Sequence, residues 1–118
     1  MNIEADCYKI TRLNGKPVPH DNLRLETSAT CFYLLSYHHM DFVKFESARD
    51  HDALTILFLN HQVRISGRNL RELALGFQSW AVEFIKPMPG RYSLAGNGAG
   101  IVESIEVHQN SPTTQSID

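Results

Sequence analysis

This sequence has few cysteines, little excess charge of either sign and no long apolar run, and each shortage narrows what the chain can be. Its two cysteines, Cys7 and Cys31, stand far apart and form no Cys-x-x-Cys pair. A disulfide framework or a zinc ribbon needs more thiols, closely spaced. Both cysteines fall in alternating apolar patterns, so buried, reduced thiols are expected at both. No apolar run approaches the ~18 residues of a membrane-spanning helix. The first residues, Met1 to Asp6, are acidic and lack the basic-then-apolar layout of a secretory signal. A cytoplasmic location without membrane association is therefore expected. The net charge is −2 and the sequence pI about 6.3, so there is no broad basic field for nucleic acid.

What is present is ordinary globular composition. Hydrophobic residues make up 42% and charged residues 20% of 118 positions, which argues against global disorder. A chain of that size suits one domain burying roughly two-thirds of its unfolded surface. The expected boundaries are 1–108 for a compact domain and 109–118 for a mobile, Ser/Thr/Gln-rich tail.

The densest patterning lies between Leu54 and Ile85. Leu54 to Leu59 and Gln62 to Gly67 read as two strands joined by Asn60-His61. That hairpin would pair Phe58 with Val63 and Ile56 with Ile65, leaving Leu54, Ile56, Phe58, Val63 and Ile65 on one face. Leu57 and Leu59 make the opposite face apolar as well. Next comes a helix from about Leu70 to Ser79. Asn69 suits its N-cap, Glu72 completes a capping box, and Leu70, Leu73, Ala74 and Phe77 follow helical spacing. Gly76 within it suggests close approach to the sheet. Ala81 to Ile85 is a strand ended by Pro87 and Pro89.

Earlier strands are expected at Asp6–Leu13, Leu23–Glu26, Thr30–Tyr37 and Asp41–Glu46, and a later one at Ile101–Val107. Asn14-Gly15 marks a turn, and Pro17 and Pro19 should block sheet pairing after it. Ser47–Asp52 reads as a polar connection. The implied class is α+β: a mainly antiparallel, curled sheet of six or seven strands with one main helix, in the order β-meander, α, β, β.

No catalytic motif stands out. Ser28, Ser36, Ser47 and Ser66 have no nucleophile signature around them, and the carboxylate pairs Asp50/Asp52 and Glu103/Glu106 suit a solvated face. The Gly-rich run 96–100 leads into a strand, not into a helix that could receive a phosphate, so no cofactor is expected. An anionic ligand would find its best donors near the helix start, at Arg64, Ser66, Gly67, Arg68 and Arg71. The plain alternative is an Arg68–Glu72 pair one helical turn apart, with Arg64 merely facing outward. His38, His39 and Asp41 could supply metal ligands, though a site needs three or four with support behind them.

The aromatics suggest something different. Phe32, Tyr33, Tyr37, Phe42, Phe45, Phe58, Phe77, Trp80 and Phe84 exceed what one sheet-and-helix interface needs. A second apolar surface would be covered by the chain's own terminal strands or by another chain. The leading expectation is thus a non-catalytic interaction or assembly domain, homo-oligomeric or with a protein partner. A small-anion binding module and a histidine-based metalloenzyme are the alternatives.

Overall fold

The computed structural model describes residues 7–88 and 100–109. In chain order it holds strands β1 (Tyr8–Ile10), β2 (Arg12–Leu13), β3 (Lys16–Pro17), β4 (Asn22–Ser28) and β5 (Cys31–Ser36). A 3-10 turn, Tyr37–His39, leads to β6 (Met40–Ala48), β7 (His51–Phe58) and β8 (His61–Arg68). Helix α1 (Arg71–Gly76) continues as a 3-10 turn, Phe77–Ser79, before β9 (Val82–Ile85) and β10 (Ile101–Gln109). One helix beside mostly antiparallel strands makes the class α+β.

The expectation of one curled sheet is corrected. The strands form a four-stranded sheet β1-β9-β4-β5, a second four-stranded sheet β10-β8-β7-β6, and a two-stranded ribbon β2-β3. Three crossings account for the division, the last of them between β9 and β10, where residues 89–99 lie outside the described residues. Tyr37–His39 carries the chain from the edge of the first sheet to the edge of the second, and α1 with its extension carries it back. Strand β9 then lies parallel to β4, with Arg24 beside Phe84 and Leu25 beside Ile85. Local periodicity does not encode that pairing, because its two strands are far apart in sequence.

Both sheets contribute to one core. Leu23, Leu25 and Leu35 from the first sheet join Leu54, Ile56, Phe58, Val63 and Ile65 from the second, and Leu70, Leu73 and Phe77 from the helical segment. Each such side chain stabilises the fold by roughly 1.5–3 kcal/mol when fully buried. The β7–β8 hairpin has Ile56 opposite Val63 and Leu57 opposite Gln62, so its connection is Leu59-Asn60. Relative to the expected register the pairing has slid by two residues. An even slide keeps every side chain on its face, which is why the predicted inner set is buried as expected. The second face is mixed: Leu57 is half-buried between exposed Phe42 and Gln62, and Lys44, Thr55 and Arg64 form the next row.

The helix is shorter than 70–79 and starts differently. Asn69 is no N-cap: its φ of 57° is left-handed, and Leu70 takes the cap position without a side-chain cap bond. Glu72 closes no capping box and instead accepts from the Tyr8 hydroxyl at 3.0 Å. Gly76 does mark a close approach. A Cβ there would lie 2.9 Å from both Ile10 Cδ1 and Val82 Cγ2.

Pro17 does not block pairing, since it lies opposite Arg12 in the β2–β3 ribbon. Asn14 and Gly15, with φ of 54° and 81°, make the tight turn that Asn-Gly favours. Cys7 is buried and its Sγ accepts from the Val102 N–H at 3.3 Å, but Cys31 is exposed. It sits where the β4–β5 register shifts, so the inward alternation of Tyr33 and Leu35 does not extend to it. Strand β10 runs through Gln109. Residues 96–99 of the Gly-rich run and 110–118 of the expected tail lie outside the described residues.

Candidate functional site

The polar residues of the chain converge at the end of the second sheet where α1 begins. Asp52, at the start of β7, is buried. Its Oδ2 accepts from the Leu70 N–H at 2.9 Å, and its Oδ1 accepts from the Ser47 hydroxyl at 2.7 Å. The Leu70 bond, with help from Ser47 and the charge of neighbouring His51, holds the Asp52 carboxyl below its ordinary range despite burial. A distant strand thus supplies the helix cap that the local sequence does not.

Around this point lies an open cleft of about 740 Å³, lined by Ser47, Ala48, Arg49, Asp50, His51, Asp52, Arg68, Asn69 and Glu103. Its formal charges are mixed. Arg68 Nε lies 3.3 Å from Glu103 Oε2, close enough for charge attraction but without an aligned hydrogen bond. Ser47 already gives its proton to a carboxylate that binds protons weakly, so the pair provides no activated nucleophile.

Of the predicted anion residues, only Arg68 lines this cleft. Arg64 is exposed on the outer face of β8, opposite Thr55 and Glu106. Ser66 faces outward between Ala53 and Ser104. Gly67 packs so tightly on β10 that a Cβ would run into the Ile101 carbonyl. Arg71 stacks over the Phe45 ring at 5.7 Å. The Asp52 carboxylate itself occupies the Leu70 N–H. The expected Arg68–Glu72 pair is replaced by Arg68–Glu103 and Tyr8–Glu72.

His38, His39 and Asp41 are all exposed at the crossing between the sheets. The His38 ring meets Trp80 edge-on at 4.9 Å, and Trp80 stacks on Tyr37 at 5.7 Å. Tyr37 is buried and donates to the Val82 carbonyl at 2.6 Å; burial pushes its hydroxyl well above the ordinary phenol range. These contacts anchor the crossing. Among the described residues no group of three or more His, Cys, Asp or Glu could hold a metal ion.

A different surface, which sequence reasoning did not isolate, lies on the outer face of the first sheet. Phe32 is 59% exposed and Leu34 is 62% exposed, both on β5 at the sheet's edge. They stand opposite Glu26 and Arg24 of β4. Arg24 in turn bonds Glu26 at 2.8 Å and lies 5.0 Å over the Phe84 ring. The available signal was the uncharged run Cys31–Ser36, free of proline and glycine.

The fold and its surfaces define an α+β domain of two four-stranded sheets around one core. No helix among the described residues is long and apolar enough to cross a membrane. No protein-family model matches the chain, and neither a curated protein nor a solved structure is detectably similar to it.

Proposed function

We propose that this chain is a non-catalytic interaction or assembly domain that forms homo-oligomers. The observation that supports this reading is a sheet edge, β5, that has no strand beyond it among the described residues and carries exposed Phe32 and Leu34. Monomeric proteins ordinarily blunt such edges with charge, proline or a bulge, because free N–H and C=O groups recruit further strands. The polar cleft offers a weaker case. Its charges are of both signs, its buried carboxylate serves a helix, and the three predicted arginines diverge, Arg68 to Glu103, Arg71 to the Phe45 ring and Arg64 to the outer face of β8. The anion-binding and metalloenzyme readings have no comparable observation behind them.

Light scattering on a size-exclusion column tests the proposal directly. A mass above that of one chain, falling on dilution, is expected. A strict one-chain mass across the whole concentration range removes homo-oligomerisation. We also propose a cytoplasmic location, in keeping with the exposed thiol of Cys31, as reducing compartments favour. Cell fractionation that recovers it from an oxidising compartment would overturn that placement.

A further inference from the structure

We infer that the partner at this edge is a second copy of the chain, joined by antiparallel pairing of β5 with β5 about a two-fold axis. This rests on the assembly reading above and specifies its geometry. The four sheet edges differ sharply. Strand β1 is short and carries Lys9; β6 exposes Phe42 but flanks it with Asp41, Lys44 and Glu46; β10 carries Glu103 and Glu106. The register shifts of β6 and β10 add a residue to the edge strand itself, whereas the shift beside β5 adds one to β4. Charges and irregularities of that type discourage strand addition. Strand β5, Cys-Phe-Tyr-Leu-Leu-Ser, has no charge, proline or glycine across six residues.

Self-pairing suits this strand for a reason that a generic partner does not share. In a two-fold antiparallel pair, each residue meets one from the same strand, so any charge on it would face or flank its own copy. Here nothing of like charge is brought together. The nearest charges on the outer face, Arg24 and Glu26 one strand inward, already neutralise each other at 2.8 Å. Residues of one parity share a face, so centring the pair on Tyr33 sets Phe32 against Leu34 of the other copy, twice. The same row then runs from Arg24 of one copy to Glu26 of the other, opposite in sign. The two exposed apolar side chains thereby cover each other across the axis. Because a two-fold contact uses both edges at once, assembly closes at two chains instead of propagating.

The test uses the full chain, with Leu34→Lys and Phe32→Lys as disrupting variants and Leu13→Lys as the control. Leu13 is 67% exposed but lies on the β2–β3 ribbon, away from the edge. Light scattering across a dilution series should give a two-chain mass for the wild type and for Leu13→Lys. Either β5 variant should weaken association roughly ten-fold or more, with an unchanged far-UV circular dichroism spectrum. Amide exchange across 31–36 should slow with rising concentration in the wild type and in Leu13→Lys, but not in the β5 variants. A wild-type monomer at every concentration overturns both this inference and the assembly reading. A dimer that survives both β5 substitutions, with 31–36 exchange independent of concentration, overturns only the β5 pairing and leaves assembly by another surface.

Discussion

The carboxylate of Asp52 and the backbone N–H of Leu70, eighteen residues later, are joined by a hydrogen bond of 2.9 Å. This bond starts the only α-helix among the described residues and ties it to the β6–β7 turn through Ser47. Replacing Asp52 by Ala should cost about 1–3 kcal/mol, because it leaves a buried N–H without its acceptor. Asp52→Asn should cost less, since its carbonyl oxygen can still accept. Urea unfolding of the three proteins checks the order.

The same bond predicts a pH dependence. Asp52 titrates below its ordinary value of 3.8 when folded, so its ionised form is favoured by folding. That stability is fully present above the unfolded value and fades as pH falls through the folded one. The stability gap between wild type and Asp52→Asn should therefore be constant near neutrality and narrow on acidification below about pH 4. A gap that widens with acid would contradict the assignment.

Asn69 offers a sharp distinction between two roles. An N-cap accepts Thr readily, whereas a left-handed residue resists a β-branched side chain. With φ at 57°, Asn69→Thr should destabilise by about 1–2 kcal/mol and Asn69→Gly should be tolerated. Thermal melts that rank Thr above Gly would restore the capping-box reading.

Gly76→Ala is expected to destabilise, against helix propensity. Propensity alone favours Ala by about 1 kcal/mol, but the new methyl would press on Ile10 and Val82, each 2.9 Å from the Cβ position. Overpacking of a tight contact costs about 1–3 kcal/mol. A more stable Ala variant would show that the helix can lift away from β1 and β9.

Tyr37→Phe removes the hydroxyl that the Val82 carbonyl receives at 2.6 Å while keeping the ring stacked on Trp80. A loss of about 1–3 kcal/mol is expected. Trp80 is the sole tryptophan, so its emission should change little if stacking persists.

The central hairpin shows how far pattern reading reaches. Its inner residues were legible because alternation has a period of two, and the register error of two residues left that alternation intact. The capping box failed for the opposite reason. Asn69 and Glu72 match the motif at the right spacing, yet backbone conformation and long-range partners assigned them other work. Of the candidate site, Arg68 was found, while the edge at Phe32 and Leu34 was hidden among alternating apolar residues that read equally well as core.

By itself, then, the chain determined the strands of the hairpin, the tight turn at Asn14-Gly15, the helical stripe and the close contact at Gly76. These depend on neighbours within a few residues, where side-chain period and backbone preference are strong. Only tertiary structure decided that β5 and β6 part into different sheets, that β9 lies beside β4, and that Asp52 caps the helix. Each of those depends on contacts between residues distant in sequence, selected by burial and hydrogen-bond satisfaction across the whole core.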